Sequence, residues 1–160
     1  MREVEVVGVR VEMPSNSPIV LLRESGGERY LPIWIGAVEA TAIAFAQQGV
    51  VPPRPLTHDL LKDVVEATGN AVAEIRITEM REGVFYATLV LSSGVEVSAR
   101  PSDSIALALR TGSRIVCAEE VLAEAGIAVP DEQEETVEQF REFLDHVTPE
   151  DFEDEPGSTG

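Results

Sequence analysis

Residues 71–117, AVAEIRITEMREGVFYATLVLSSGVEVSARPSDSIALALRTGSRIVC, decide the fold class. The runs 71–81 and 83–91 flank Glu82-Gly83, a hairpin turn signal between two strand-like segments. Ser92-Ser93-Gly94 turns the chain again into 95–99 (VEVSA), which completes a three-strand meander. Arg100-Pro101-Ser102-Asp103 then opens a helix, SIALALRTG. Proline suits the first helical position, and an acid in the first turn faces the positive end of the helix dipole. Residues 114–117 (RIVC) follow as a short strand. The order predicts a compact α+β domain of antiparallel and mixed strands with three to four packed helices.

Upstream, residues 2–13 alternate, with Val4, Val6, Val9 and Val11 apolar and Gly8 at the position of a bulge. Two further strand-like runs, 18–23 and 28–35, flank Ser25-Gly26-Gly27. Pro32 inside the second run predicts an edge or a bulge there. Gly36 opens the alanine-rich helix AVEATAIAFAQQG, which Gly49 stops. The stiff segment VVPPRPL (50–56) leads to Thr57, the expected N-cap of HDLLKDVVEATG, which Gly69 ends. Downstream, 118–125 is a short helix ended by Gly126. Pro130 marks the expected boundary between a domain at 1–130 and an acidic segment at 131–160. In that segment EETVEQFREFLDHV forms one amphipathic helix through Val137, Phe140, Phe143, Leu144 and Val147. The final EDFEDEPGSTG has the composition of a disordered tail.

Composition narrows the function. The 160 residues suit one domain, and 44% hydrophobic content builds a core without staples. One cysteine, Cys117, rules out a disulfide framework within the chain and argues against a cysteine-based zinc site. Neither a signal-peptide core nor a membrane-length apolar run is present, so the expectation is a cytoplasmic protein without a membrane partner. The net charge of −17 is uneven. Residues 131–160 hold 12 of the 29 acids and one of the 12 bases, which leaves −6 on residues 1–130. No basic stripe is present, so any binding of nucleic acid as substrate is expected to be weak, or to rely on metal ions that mask carboxylates. The acidic tail suits a basic protein partner.

The residues that can carry chemistry sit at three helix starts. Glu39 lies one turn into the first helix. It reads most simply as a cap, and otherwise as a metal ligand or general base. Asp59 likewise suits the first turn of the second helix. His58 beside it is a stranger choice, because a cation is disfavoured there. That placement keeps the imidazole neutral, as a base or ligand requires, though an exposed histidine at a helix start is equally ordinary. Asp103 can close a capping interaction back to Arg100. If the three starts converge, Glu39, Asp59 and Asp103 with His58 can hold Mg²⁺ or Mn²⁺ and activate water, while Arg54 and Arg100 bind phosphate. Ser102 and Ser104 lack an activating dyad, and no organic-cofactor fingerprint is present. Cys117 reads as an inert core thiol, and His146 as a surface residue of the tail helix.

These same starts fall within LPIWIGAVEATAIA (31–44), RPLTHDLL (54–61) and ARPSDSIALALR (99–110). With these three blocks in this order, the chain resembles the bifunctional nuclease family over roughly residues 1–130. The resemblance implies a self-associating α+β domain with DNase and RNase activity. It carries over Glu39, Arg54, His58, Asp59, Arg100 and Asp103 as candidate site residues. The competing expectation is a non-catalytic regulatory or protein-interaction module whose polar helix starts are caps. A third is that the alanine-rich helix and the PPRP loop form a homo-oligomer surface.

Overall fold

Two antiparallel units, joined through one short strand, make the sheet. The computed structural model describes residues 1–12 and 14–128. The first unit contains β1 (Arg2–Glu12), β2 (Ser17–Glu24) and β3 (Arg29–Trp34). The second is the expected meander, β4 (Val72–Arg81), β5 (Val84–Leu91) and β6 (Glu96–Ala99). Between the units lies β7 (Arg114–Cys117), antiparallel to β1 and parallel to β4. A parallel neighbour needs a crossover, and α3 (Pro101–Thr111) supplies it. A two-residue strand, β8 (Ile127–Ala128), pairs with the start of β3. The strand order is β6-β5-β4-β7-β1-β2-β3-β8. Three more helices complete the α+β architecture: α1 (Ala37–Gln47), α2 (Thr57–Ala67) and α4 (Glu119–Ala125).

Local chemistry explains the turns. Glu82 and Gly83 both have positive φ, 52° and 78°, and Arg81 pairs with Val84 across them. This is the mirror-image two-residue turn whose twist matches a hairpin. In β1 the register against β2 shifts between Val6 and Gly8, so the bulge falls where the glycine suggested. Beyond Tyr30, β3 has no outer neighbour among the described residues, and Pro32 therefore removes no ladder bond there.

The core gathers Val20, Leu22, Leu31, Ile33, Ile75, Ile77 and Ile115 from the sheet with Ile43, Ile105 and Leu107 from the helices. Helix α3 lies on β4, β5 and β7, while α1 lies on β1 and β2, and both α1 and α2 pack against α3. Cys117 is fully buried, and burial pushes its thiol up to about 12, so it stays protonated. The expected boundary at Pro130, the acidic helix, His146 and the tail lie outside the described residues. No helix among the described residues is long and apolar enough to cross a membrane.

Candidate functional site

The site begins where β3 ends. Gly36 is the N-cap of α1, in extended backbone geometry, and Glu39 occupies the first turn. A Cβ at position 36 would stand 2.5 Å from Glu39 Oε1, so the glycine leaves room for that carboxylate to fold back. Arg100 is the N-cap of α3, followed by Pro101 at the first helical position. The buried Ser104 hydroxyl donates to Arg100 O at 2.9 Å and steadies that turn.

The three helix starts converge. Arg100 Nη2 donates to Glu39 Oε2 at 3.0 Å and lies 2.8 Å from Asp103 Oδ2, while Arg100 Nε donates to the same Asp103 oxygen at 3.0 Å. The other Asp103 oxygen lies 2.9 Å from His58 Nε2. A continuous hydrogen-bonded chain thus runs Glu39–Arg100–Asp103–His58, touching α1, α3 and α2 in turn. Exposure falls from Arg100 along one arm: its side chain is 64% exposed, whereas His58 is 7% exposed. Burial opposes ionisation of Asp103, but the hydrogen bonds from His58 and Arg100 outweigh it and hold the carboxyl below its ordinary value.

Asp59 does not join this chain. Its Oδ2 accepts the Leu56 N–H at 3.0 Å, and its Oδ1 accepts Arg110 Nε at 2.8 Å. Leu56, not Thr57, is therefore the N-cap of α2, and Thr57 is the first helical residue. Asp59 reaches back to accept the cap residue's own N–H, which is one half of a capping box. Asp103 likewise holds the Arg100 side chain rather than a backbone cap donor. Arg54 is exposed on the loop between α1 and α2 and stands outside the network.

The residue that sequence reading missed is Arg110, at the end of the third quoted block. Its guanidinium also donates to Ala106 O at 2.8 Å and to Ala42 O at 3.1 Å. One side chain thereby ties α1, α2 and α3 together. Burial works against Asp59 ionisation, yet the Leu56 N–H and Arg110 hold its carboxyl below the ordinary range. A basic residue in the last turn of α3 reads as a dipole partner, so only its spatial neighbours reveal the clamp.

The expected three-carboxylate metal set is therefore not assembled. Among the described residues no three His, Cys, Asp or Glu side chains are grouped to hold a metal ion. Glu39 and Asp103 do face a single nitrogen of Arg100, and a carboxylate pair is what Mg²⁺ commonly uses when phosphate and water complete its shell. Asp59, committed to Arg110, does not fit. Next to Arg100 opens a cleft of about 380 Å³, bounded by the end of β3, the β4–β5 turn and the start of α3.

An α+β domain that brings three helix starts to one charged junction beside a cleft is the class this structure defines. The bifunctional nuclease domain matches residues 20–130, and the chain belongs to that family. It is 56% identical over 161 residues to an uncharacterized protein of Mycobacterium tuberculosis strain H37Rv, covering 95% of this chain and 98% of the relative. It is 31% identical over 111 residues to bifunctional nuclease 1 of Oryza sativa subsp. indica, covering 66% of this chain and 33% of that protein. Bifunctional nuclease 2 of Arabidopsis thaliana is 32% identical over 101 residues, covering 59% of this chain and 31% of the relative. The chain thus spans about a third of the length of these plant relatives.

Proposed function

We propose that this chain hydrolyses phosphodiester bonds of DNA or RNA at the junction of its three helix starts. The observation that carries the reading is the Glu39–Arg100–Asp103–His58 chain at the edge of a cleft, in a member of the bifunctional nuclease domain family. Arg100 is the exposed cation of the group and would meet a phosphate oxygen through its planar fork. Glu39, mostly buried beside it, would take a proton from an attacking water. Asp103 has a depressed pKa and suits a fixed anion better than a base. His58 acts through Asp103 as a positioning residue, and Asp59 acts through Arg110. A divalent cation would be held by Glu39 and Asp103, and when bound it supplies Lewis-acid polarisation of the phosphoryl group.

The test is cleavage of labelled DNA and RNA by the purified chain, with Mg²⁺, Mn²⁺ or EDTA. Glu39→Gln and Arg100→Met are each expected to lose about a hundredfold in rate with the melting temperature nearly kept. Full activity in both folded variants would overturn the assignment.

A second reading, a self-associating interaction module, is favoured by one feature. Leu56, Leu60 and Val64 form an exposed apolar stripe on α2, with Val38 and Val51 also exposed on α1 and the following loop. Light scattering on the wild type and on Leu60→Glu checks it: a strict monomer in both removes it.

A further inference from the structure

The cleft beside Arg100 contains the chain's single tryptophan. Trp34 ends β3, lines the cleft and is 55% exposed. Val84 and Phe85, just past the β4–β5 turn, supply further apolar lining, and Val84 is also exposed. Gly36 and Gly83 also line it and add no side chain. We propose that this cleft receives an unpaired nucleobase, stacked on Trp34, with its phosphate against Arg100, so that the substrate is single-stranded DNA or RNA. The proposal rests on the nuclease reading above and names its substrate class.

Charge decides between paired and unpaired nucleic acid. Duplex binding without base readout draws its affinity from phosphate neutralisation by several cations. Here the cation of the cleft, Arg100, is already matched by two carboxylates, Glu39 and Asp103. The first 130 residues carry a net −6, which gives no overall attraction for phosphate. Phosphate attraction is therefore weak, and a ligand needs a second source of binding. An indole face provides one, since every base has a π-face and stacking tolerates any sequence. A duplex keeps those faces inside its own stack, whereas a single strand can splay a base outward. The cleft volume of about 380 Å³ falls in the small-molecule range and suits a nucleotide-sized guest rather than a helix.

Because Trp34 is the one tryptophan, its fluorescence reports the cleft directly. The probes are a short oligothymidylate, a short oligouridylate and a blunt DNA duplex of equal length, titrated into the full chain at low temperature. Both single strands are expected to quench Trp34, and the duplex is not. Anisotropy of labelled single strands then compares variants: Trp34→Phe keeps binding, and Trp34→Ala weakens it about tenfold. Quenching by the duplex as strong as by the single strands, no quenching at all, or an unchanged affinity in a folded Trp34→Ala would each overturn the proposal. Cleavage is scored separately on the same oligonucleotides. Cleavage that ignores Trp34→Ala and strandedness sinks the stacking proposal and leaves the nuclease reading. Quenching specific to single strands without cleavage by the wild type sinks the nuclease reading and supports the stacking cleft.

Discussion

Helices α2 and α3 have the same length, 11 residues, and both carry an acid in the first turn, yet they are held in opposite ways. In α3 seven residues are buried, including Ile105 and Leu107 at the centre of the core. In α2 the one buried residue is His58, and Leu60 stands 53% exposed. Burial fixes α3. Two polar clamps, His58–Asp103 and Asp59–Arg110, fix the start of α2, and the partly buried Val65 is its apolar contact with the core. The side chains that could do chemistry at the α2 start are therefore also the ones that dock it. A variant there moves a helix as well as a functional group, and activity loss alone cannot separate the two.

Ile105→Ala on α3 should destabilise the fold by about 2–5 kcal/mol in denaturant unfolding, because it opens a cavity in close-packed surroundings. A loss below about 1 kcal/mol would mean that α3 is not the buried anchor described here.

Next in size is the clamp. Arg110→Met removes three hydrogen bonds to α1, α2 and its own helix, and leaves Asp59 facing an apolar side chain. The expected cost is about 1.5–3 kcal/mol, since charged hydrogen bonds stabilise more than neutral ones. Hydrogen exchange should show the loss concentrated in α2, with α3 amides still protected. Uniform loss across both helices would break the distinction between them.

What could be read from the sequence follows the same divide. Turns and helix ends are local, so Glu82-Gly83, the Gly8 bulge and the three helix starts were legible. Thr57 misled because the preference for Ser or Thr at an N-cap is statistical, whereas here the helix starts at Leu56, whose own N–H Asp59 accepts. The burial of His58 depends on where α3 lies, and no spacing within 54–61 carries that. Arg110 was invisible for the same reason, since its partner Asp59 is 51 residues away. β8 has two residues, too few to show any alternation.

Acid offers a smaller and graded test. Asp59 and Asp103 have folded pKa values below their ordinary ones, so they bind protons less readily in the folded chain than in the unfolded chain. Their stabilisation is fully present above the unfolded value of about 4 and is lost as pH falls through the folded values. Across the molecule, Glu24 is buried between Arg29 and Arg2. Hydrogen bonding to Arg29 first, and to Arg2, lowers its pKa to about 2. Exchange protection of α2 should therefore fall as pH drops below about 4, and that of the β1–β2–β3 end should fall from the unfolded glutamate range down to about pH 2. Protection of α2 that stays constant through this acid range would show that α2 does not depend on its carboxylate clamps.

The smallest effect tests the outward face of α2. Leu60→Ser removes an apolar side chain that is half in water and is not among the buried core residues. An isolated chain should lose less than about 0.5 kcal/mol, as exposed sites away from caps and clamps do. If the stripe of Leu56, Leu60 and Val64 packs against a second copy, the same substitution removes buried area at that contact and costs more. The wild-type midpoint would then rise with protein concentration, because association stabilises by mass action, and Leu60→Ser would abolish that rise. A small loss with no concentration dependence keeps α2 as a helix held by its polar start and Val65. A large, concentration-dependent loss gives it the apolar anchor that α3 finds within the fold.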